Sequence, residues 1–272
     1  MASHRYTHAI VCRIPLSFKT KALGISEEID LDKAKQQHEE YCKILRDAGL
    51  DVIELPPDEN LPNCIFVEDT AVVCNGTALI CRPVHAPRQK EVEIIRTIIK
   101  KELELPVVEI ADPSATIEGG DVLFTGREFF VGLSNRTNEA GARALAAAFP
   151  EYPVTPIKIG HTPHIKSLVS VAGPDILCVS EGKESKSVLK RIEQEASFRY
   201  QTITVPDDNA ANCVYINGTL IYSAEYPESI KVFEERVDYN KVSANVSELR
   251  KAHGALTCCS ILIKKTKYLK KL

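Results

Sequence analysis

The chain has no tryptophan, one methionine and only 6% aromatic residues, so its core must be built mainly from aliphatic side chains. It also lacks an excess of positive charge. Its 34 Lys and Arg against 37 Asp and Glu give a net charge of −3, and the lysine-rich stretch Lys264–Lys271 is too short to create a basic field, so nucleic acid is not an expected partner. No apolar run approaches the ~20 residues of a membrane span, and Met1-Ala2-Ser3-His4-Arg5-Tyr6 lacks the apolar stretch of a secretion signal. No membrane partner is expected, and a cytoplasmic location is. Nine cysteines occur without CxxC spacing, which argues against a structural zinc site and suits reduced thiols. What is there is a globular composition of 272 residues, 44% hydrophobic and 26% charged, enough for one large or two ordinary domains.

Within this composition one stretch stands out: Cys64-Ile65-Phe66-Val67-Glu68-Asp69-Thr70-Ala71-Val72-Val73-Cys74. Its apolar, β-branched character reads as a buried strand, yet it carries two adjacent carboxylates. Buried carboxylates must neutralise, pair with an internal Arg or Lys, or receive a cationic ligand. Both can face one pocket only where the strand ends or bulges, because neighbouring strand residues point to opposite faces. Near the other end, Leu256-Thr257-Cys258-Cys259-Ser260 opens a second apolar run, read as a strand over 258–264, with a thiol pair at its start. A reactive thiol needs a base or a positive charge nearby, and His161-Thr162-Pro163-His164 offers one.

The organisation is repetitive. Strand–turn–strand units centre on Asn75-Gly76, Thr125-Gly126, Gly173-Pro174-Asp175 and Asn217-Gly218, about 40–50 residues apart. Helical periodicity follows over 31–48, 88–101, 138–149, 184–196 and 227–237, with short β-like runs after it, such as 52–55, 107–110 and 202–205. The unit is strand, strand, helix, strand. Four complete units leave over a strand at each end, 7–13 and 258–264, and their pairing would close a fifth unit into a ring with a central cavity. Such a ring brings Glu68, His164 and Cys258 from three repeats toward one ligand.

Ile65–Asp69, Gly119–Ser134, Val205–Cys213 and Leu256–Ser260 closely resemble dimethylarginine dimethylaminohydrolase, a guanidine-modifying family of the pentein superfamily, over nearly the full length. The resemblance implies an α/β fold, a five-bladed α/β-propeller of ββαβ units forming a single domain over 1–272. It implies hydrolysis of asymmetric dimethylarginine and monomethylarginine to citrulline and a methylamine, with relief of inhibition of nitric oxide synthesis, no cofactor, and a monomer or homodimer. Carried over by position, Cys258 is the nucleophile, His164 the general acid and base, and Glu118 the carboxylate supporting it. Glu68 and Asp69 hold the guanidinium, Arg88 and Arg136 the substrate carboxylate, Leu23 sits in a lid, and Asn63, Ser167 and Ala252 complete the substrate site. Asn63, Glu118 and His253 stand where the family commonly has aspartate. A zinc ion at Cys258 and His164 would block the nucleophile, two ligands being too few for a structural or hydrolytic site. An arginine deiminase-like enzyme or a non-catalytic regulatory protein are the alternatives.

Overall fold

The computed structural model describes residues 5–160, 162 and 164–265; His161 and the tail lysines Lys267, Lys270 and Lys271 lie outside them. Among these residues fifteen strands form five three-stranded sheets. In chain order, β1 (His8–Cys12) and β2 (Asp51–Leu55) begin the first blade. The second blade comprises β3 (Ala71–Cys74), β4 (Thr77–Ile80) and β5 (Val107–Val108). The third comprises β6 (Val122–Phe124), β7 (Phe129–Leu133) and β8 (Val154–Lys158). The fourth holds β9 (Val169–Gly173), β10 (Ile176–Ser180) and β11 (Gln201–Val205). The fifth holds β12 (Val214–Ile216), β13 (Thr219–Ser223) and β14 (Asn240–Ala244), after which β15 (Ile261–Ile263) returns to the first blade.

Each blade has the same grammar: an antiparallel hairpin, then a helix that carries the chain back to a parallel third strand. The first blade obeys it only by using both chain ends, β15 pairing antiparallel with β1 in the register Ile263 to His8 and Ile261 to Ile10. The expected ring closure is therefore present, and the fold is the five-bladed α/β arrangement. Hairpin chemistry follows the sequence: Asn75 and Gly76, and Asn217 and Gly218, all adopt positive φ, as a type I′ turn requires.

The expected helices form at Leu31–Asp47, Glu139–Ala148, Lys183–Glu195 and Pro227–Arg236. The pattern over 88–101 resolves differently, into Ala86–Gln89, Glu91–Thr97 and a wider turn over Ile98–Glu102. Apolar burial is divided among the seams between blades. Strand alternation sends Ala9 and Val11 into one seam with Val214, Ile221 and Ala244, and Ile10 and Cys12 into the next with Ala78, Ile80 and Val92.

The first strands of the hairpins, together with β15, surround a channel of about 1240 Å3, opening beside the hairpin turns at Asn75, Gly126, Asp175 and Asn217. Each of these five inner strands is preceded by a single 3-10 turn: Val67–Thr70, Gly119–Asp121, Ile165–Ser167, Asp208–Ala211 and Thr257–Cys259. Two strand assignments from the sequence are thereby corrected. Glu68 and Asp69 lie in a turn ahead of β3, and Cys258 in a turn ahead of β15, whose strand is confined to 261–263. The turn resolves the geometric problem of two adjacent buried acids, since it does not alternate its side chains across a sheet.

Closure by β15 predicts a specific sensitivity. Ile263→Ala, at a fully buried position, is expected to lose about 2–4 kcal/mol in urea unfolding, whereas Ile94→Ala at an exposed position should stay within about 0.5 kcal/mol of wild type.

Candidate active site

The candidate residues converge because four of the 3-10 turns carry them. Glu68 and Asp69 come from the first, Gly119 and Gly120 from the second with Glu118 just before it, His164 leads into the third, and Cys258 lies in the last. The glycine pair makes this convergence possible. A Cβ on Gly119 would stand 1.9 Å from the Glu68 carbonyl oxygen, and one on Gly120 would stand 2.5 Å from His164 Nδ1.

His164 is buried, and its Nε2 lies 2.8 Å from Glu118 Oε2 and 3.6 Å from Asp69 Oδ1. Burial disfavours the imidazolium, but Asp69, Glu118 and Asp121 outweigh it and raise the group to about 9. Asp121 fixes the turn by accepting the Ile165 N–H at 3.0 Å and the Ser134 hydroxyl at 2.6 Å. Ser167 contributes through its backbone, donating its N–H to the His164 carbonyl at 3.2 Å.

The two acids of the first turn have different partners. Asp69 accepts from Arg88 Nη1 at 2.6 Å and from Gly120 N at 3.0 Å; burial opposes its ionisation, yet His164 and Arg88 pull it down to about 2. Glu68 accepts from Lys166 Nζ at 2.6 Å and from the Thr257 hydroxyl at 3.0 Å, and burial raises it despite Lys166. Asn212 braces both neighbours, donating its side-chain N–H to the Lys166 carbonyl and to the Thr257 hydroxyl. Thr257 thus seats the residue before Cys258 directly on Glu68. Burial, then Glu68 and Asp69, push the half-buried Cys258 thiol up to about 12, while Cys259 is fully buried. At neutral pH the thiol is protonated and the imidazole is cationic.

Arg88 does not present a free guanidinium. It is buried, bonded to Asp69, Glu91 and the Phe66 carbonyl, and so acts as an internal counter-ion. Arg136 is half-buried and donates to Glu118 Oε2 at 3.2 Å. The second Glu118 oxygen, Oε1, is buried with no partner among the described residues, an open acceptor that costs about 1–3 kcal/mol if left unmet. Leu23 is exposed and donates its N–H to Asn63 Oδ1 at 3.0 Å; Ala252 is buried, next in the chain to His253. Lys166, Thr257, Asn212 and Asp121 are additions that the sequence did not single out. Lys166, two residues after His164, carried no pattern of its own.

Asp69, Glu118 and His164 bring three donor atoms within 4.8 Å of one another. Their inward oxygens already receive Arg88, Gly120 N, Arg136 and the imidazole, so the donor set is that of an ion-pair network rather than a seat for a divalent cation.

The family description "N,N dimethylarginine dimethylhydrolase, eukaryotic" matches residues 17–221. The chain is 33% identical over 272 residues to a Bos taurus protein named "Putative hydrolase DDAH2", covering 95% of each. It belongs to the dimethylarginine dimethylaminohydrolase family. A Pseudomonas aeruginosa relative named "N(G),N(G)-dimethylarginine dimethylaminohydrolase" is 31% identical over 259 residues, covering 93% of this chain and 98% of that one. The fold superimposes on a cysteine-to-serine variant of the P. aeruginosa enzyme complexed with citrulline, with TM-score 0.82, 27% identity and coverage of 95% and 99%. A histidine-to-glycine variant of a family enzyme, seen as an adduct with S-methyl-L-thiocitrulline, gives 0.84 and 28%, covering 94% and 99%.

The raised imidazole generates a pH prediction for this family member. A group lifted from its ordinary 6.5 to about 9 on folding contributes stability that is fully present below 6.5 and is lost as pH rises through about 9. Thermal unfolding of the wild type should therefore fall across that window, and a His164→Gln variant should lose this component of the fall. An unchanged pH profile in the variant would show the imidazole is not held as its cation.

Proposed function

We propose that this chain, acting as a single pentein domain, hydrolyses Nω-methylated guanidines through Cys258, with asymmetric dimethylarginine and monomethylarginine giving citrulline and a methylamine. The observation that carries the reading is the joint placement of a thiol and an imidazole on one buried carboxylate cluster, with Glu68 and Asp69 raising Cys258 while Asp69 and Glu118 raise His164.

A guanidinium carbon is a poor electrophile because its charge is delocalised, so its cation must be fixed in place while a thiolate attacks. The same carboxylate field that holds a cation keeps the resting thiol protonated. An arriving guanidinium offsets that field, lowers the Cys258 thiol and allows its proton to leave to solvent. The sulfur then bonds to the guanidinium carbon, and His164, already an imidazolium, gives its proton to the departing amine as the C–N bond breaks. The neutral imidazole next takes a proton from water, whose oxygen attacks the amidino-cysteine carbon. The C–S bond breaks with its electron pair on the Cys258 sulfur, the hydroxyl proton of the adduct passes to that thiolate, and the neutral ureido product leaves. Arg136 is the cation available for a substrate carboxylate, Arg88 being engaged with Asp69 and Glu91.

The test is citrulline release from asymmetric dimethylarginine and, separately, from L-arginine. Release from the methylated compound with loss of about a thousandfold or more in Cys258→Ser and in His164→Gln is expected. Release from arginine at equal or greater rate would favour a deiminase, and none from either would favour a regulatory binding protein.

A further inference from the structure

Two thiols outside the site meet although they are far apart in sequence. Cys12 ends β1, the central strand of the first blade, and Cys64 lies in the loop that runs from β2 to the turn carrying Glu68 and Asp69. They pack in one apolar seam with Ile10, Leu55 and Val67, and the Cys12 thiol donates a hydrogen bond to the Cys64 sulfur. Cys12 Sγ also lies 3.5 Å from the Pro56 carbonyl oxygen and 3.6 Å from that of Arg13, and Cys64 receives the backbone N–H of Asp58. The loop after β2 is thus folded over the two sulfurs. The Cys12 hydrogen bond lowers Cys64 and raises Cys12, so Cys64 ionises first.

The cover over this pair is thin. Cys12 and Cys64 are 3% and 8% exposed, beneath a segment, 56–66, that forms no helix or strand and whose residues 56–60 are all exposed. Opening such a loop is a local event, so a small oxidant reaches the sulfurs without unfolding a blade. Cys178 and Cys213 also hydrogen-bond to each other, but both are fully buried and Cys213 is held by the Ser170 hydroxyl at 3.1 Å. The Cys64 loop is in turn part of the acid turn's support. Phe66 donates its N–H to the Asn63 carbonyl, and its own carbonyl takes Arg88 Nη2 at 3.0 Å just ahead of Glu68 and Asp69. Since β1 is paired on both sides, with β15 and with β2, the loop is the partner that gives when the sulfurs approach.

We infer that Cys12 and Cys64 are a modification site, a dithiol that hydrogen peroxide closes reversibly to a disulfide, and that closure displaces the loop supporting the acid turn. The Cys64 thiolate attacks one peroxide oxygen, the O–O bond breaks, and the departing hydroxide takes the proton that Cys64 released, leaving a sulfenic acid and one water. The Cys12 sulfur then attacks the Cys64 sulfur, the S–O bond breaks, and the hydroxide leaves with the Cys12 proton as a second water. The two thiols lose two electrons and the peroxide gains them; a dithiol reductant reverses the change. Bringing the sulfurs to bonding distance draws Cys64 toward β1 and pulls on Phe66. The inference does not depend on the hydrolysis proposed above.

The experiment treats the folded Cys258→Ser protein with hydrogen peroxide, blocks the remaining thiols and maps peptides without reduction. The expected result is loss of two thiols per chain and a Cys12–Cys64 cross-linked peptide that dithiothreitol removes. Adding Cys64→Ser should abolish the cross-link, and adding Cys12→Ser should leave Cys64 as a sulfenic acid that dimedone traps. Phenylarsine oxide, which bridges neighbouring thiols, tests the pair with both cysteines in place and should protect Cys12 and Cys64 together from alkylation. In peroxide-treated wild type, the rate at which iodoacetamide alkylates Cys258 should change by about twofold or more. Survival of both thiols through peroxide, a cross-link from Cys64 to another cysteine, or no joint protection by the arsenical overturns the site. A Cys12–Cys64 disulfide with an unchanged Cys258 alkylation rate overturns its coupling to the acid turn.

Discussion

The structure depends on three residue pairs, His8–Ile263, Ala9–Leu262 and Ile10–Ile261, where the two ends of the chain make one hairpin. Every other blade is local in sequence; this one is assembled across the whole chain. Its closure covers the sheet edges that an open array would leave at either end and sets the height of the turn just before β15. Cys258 lies in that turn, so the position of the candidate nucleophile is fixed by ring closure. Thr257 then locks the turn to the second blade through Glu68, and Asn212 ties it to the fifth.

The same closure forces acids together, and the cluster is stable because its charges are matched inside the protein. Arg88 faces Asp69 and Glu91, Lys166 faces Glu68, and Arg136 faces Glu118. Buried ion pairs of this kind add little net stability, but removal of one member leaves an uncompensated charge. Their value here lies in specificity of position. Arg88 reaches from its helix to a backbone carbonyl at Phe66 and a side chain at Asp69, and so pins the turn bearing both acids at two points.

Much of the architecture was legible because it is written in local rules. Asn-Gly pairs mark hairpins, and periodicity at 3.6 residues marks the long helices. The leftover terminal strands pointed to their own pairing. The 3-10 turns were not legible. Ile65-Phe66-Val67 and Thr70-Ala71-Val72-Val73 have strand composition, and the turn between them is imposed by the hydrogen bonds and ion pairs of neighbouring blades. The one local signal was the adjacency of Glu68 and Asp69, which a strand cannot bury toward one side. The resemblance carries Arg88 over as a contact to the substrate carboxylate; in the structure it is buried and paired with Asp69 and with Glu91, three residues on along the helical segment. Lys166 and Asp121 are meaningful only once the third and fourth blades stand beside the second.

The electrostatic state of the site then follows from its construction. A permanent thiolate–imidazolium pair needs the cation to act mainly on the sulfur, but His164 is held by Glu118 at 2.8 Å with Asp69 and Asp121 around it. Of these acids Asp69 also acts on the sulfur, and together with Glu68 it extends a negative field over Cys258. The two groups are therefore driven apart in proton affinity, the imidazole to about 9 and the thiol to about 12, each retaining its proton at neutral pH. In this arrangement the proton donor is ready before the nucleophile. Under the proposed reaction a cation entering between the acids and the sulfur would change that balance, so the charge of the ligand would itself release the thiolate.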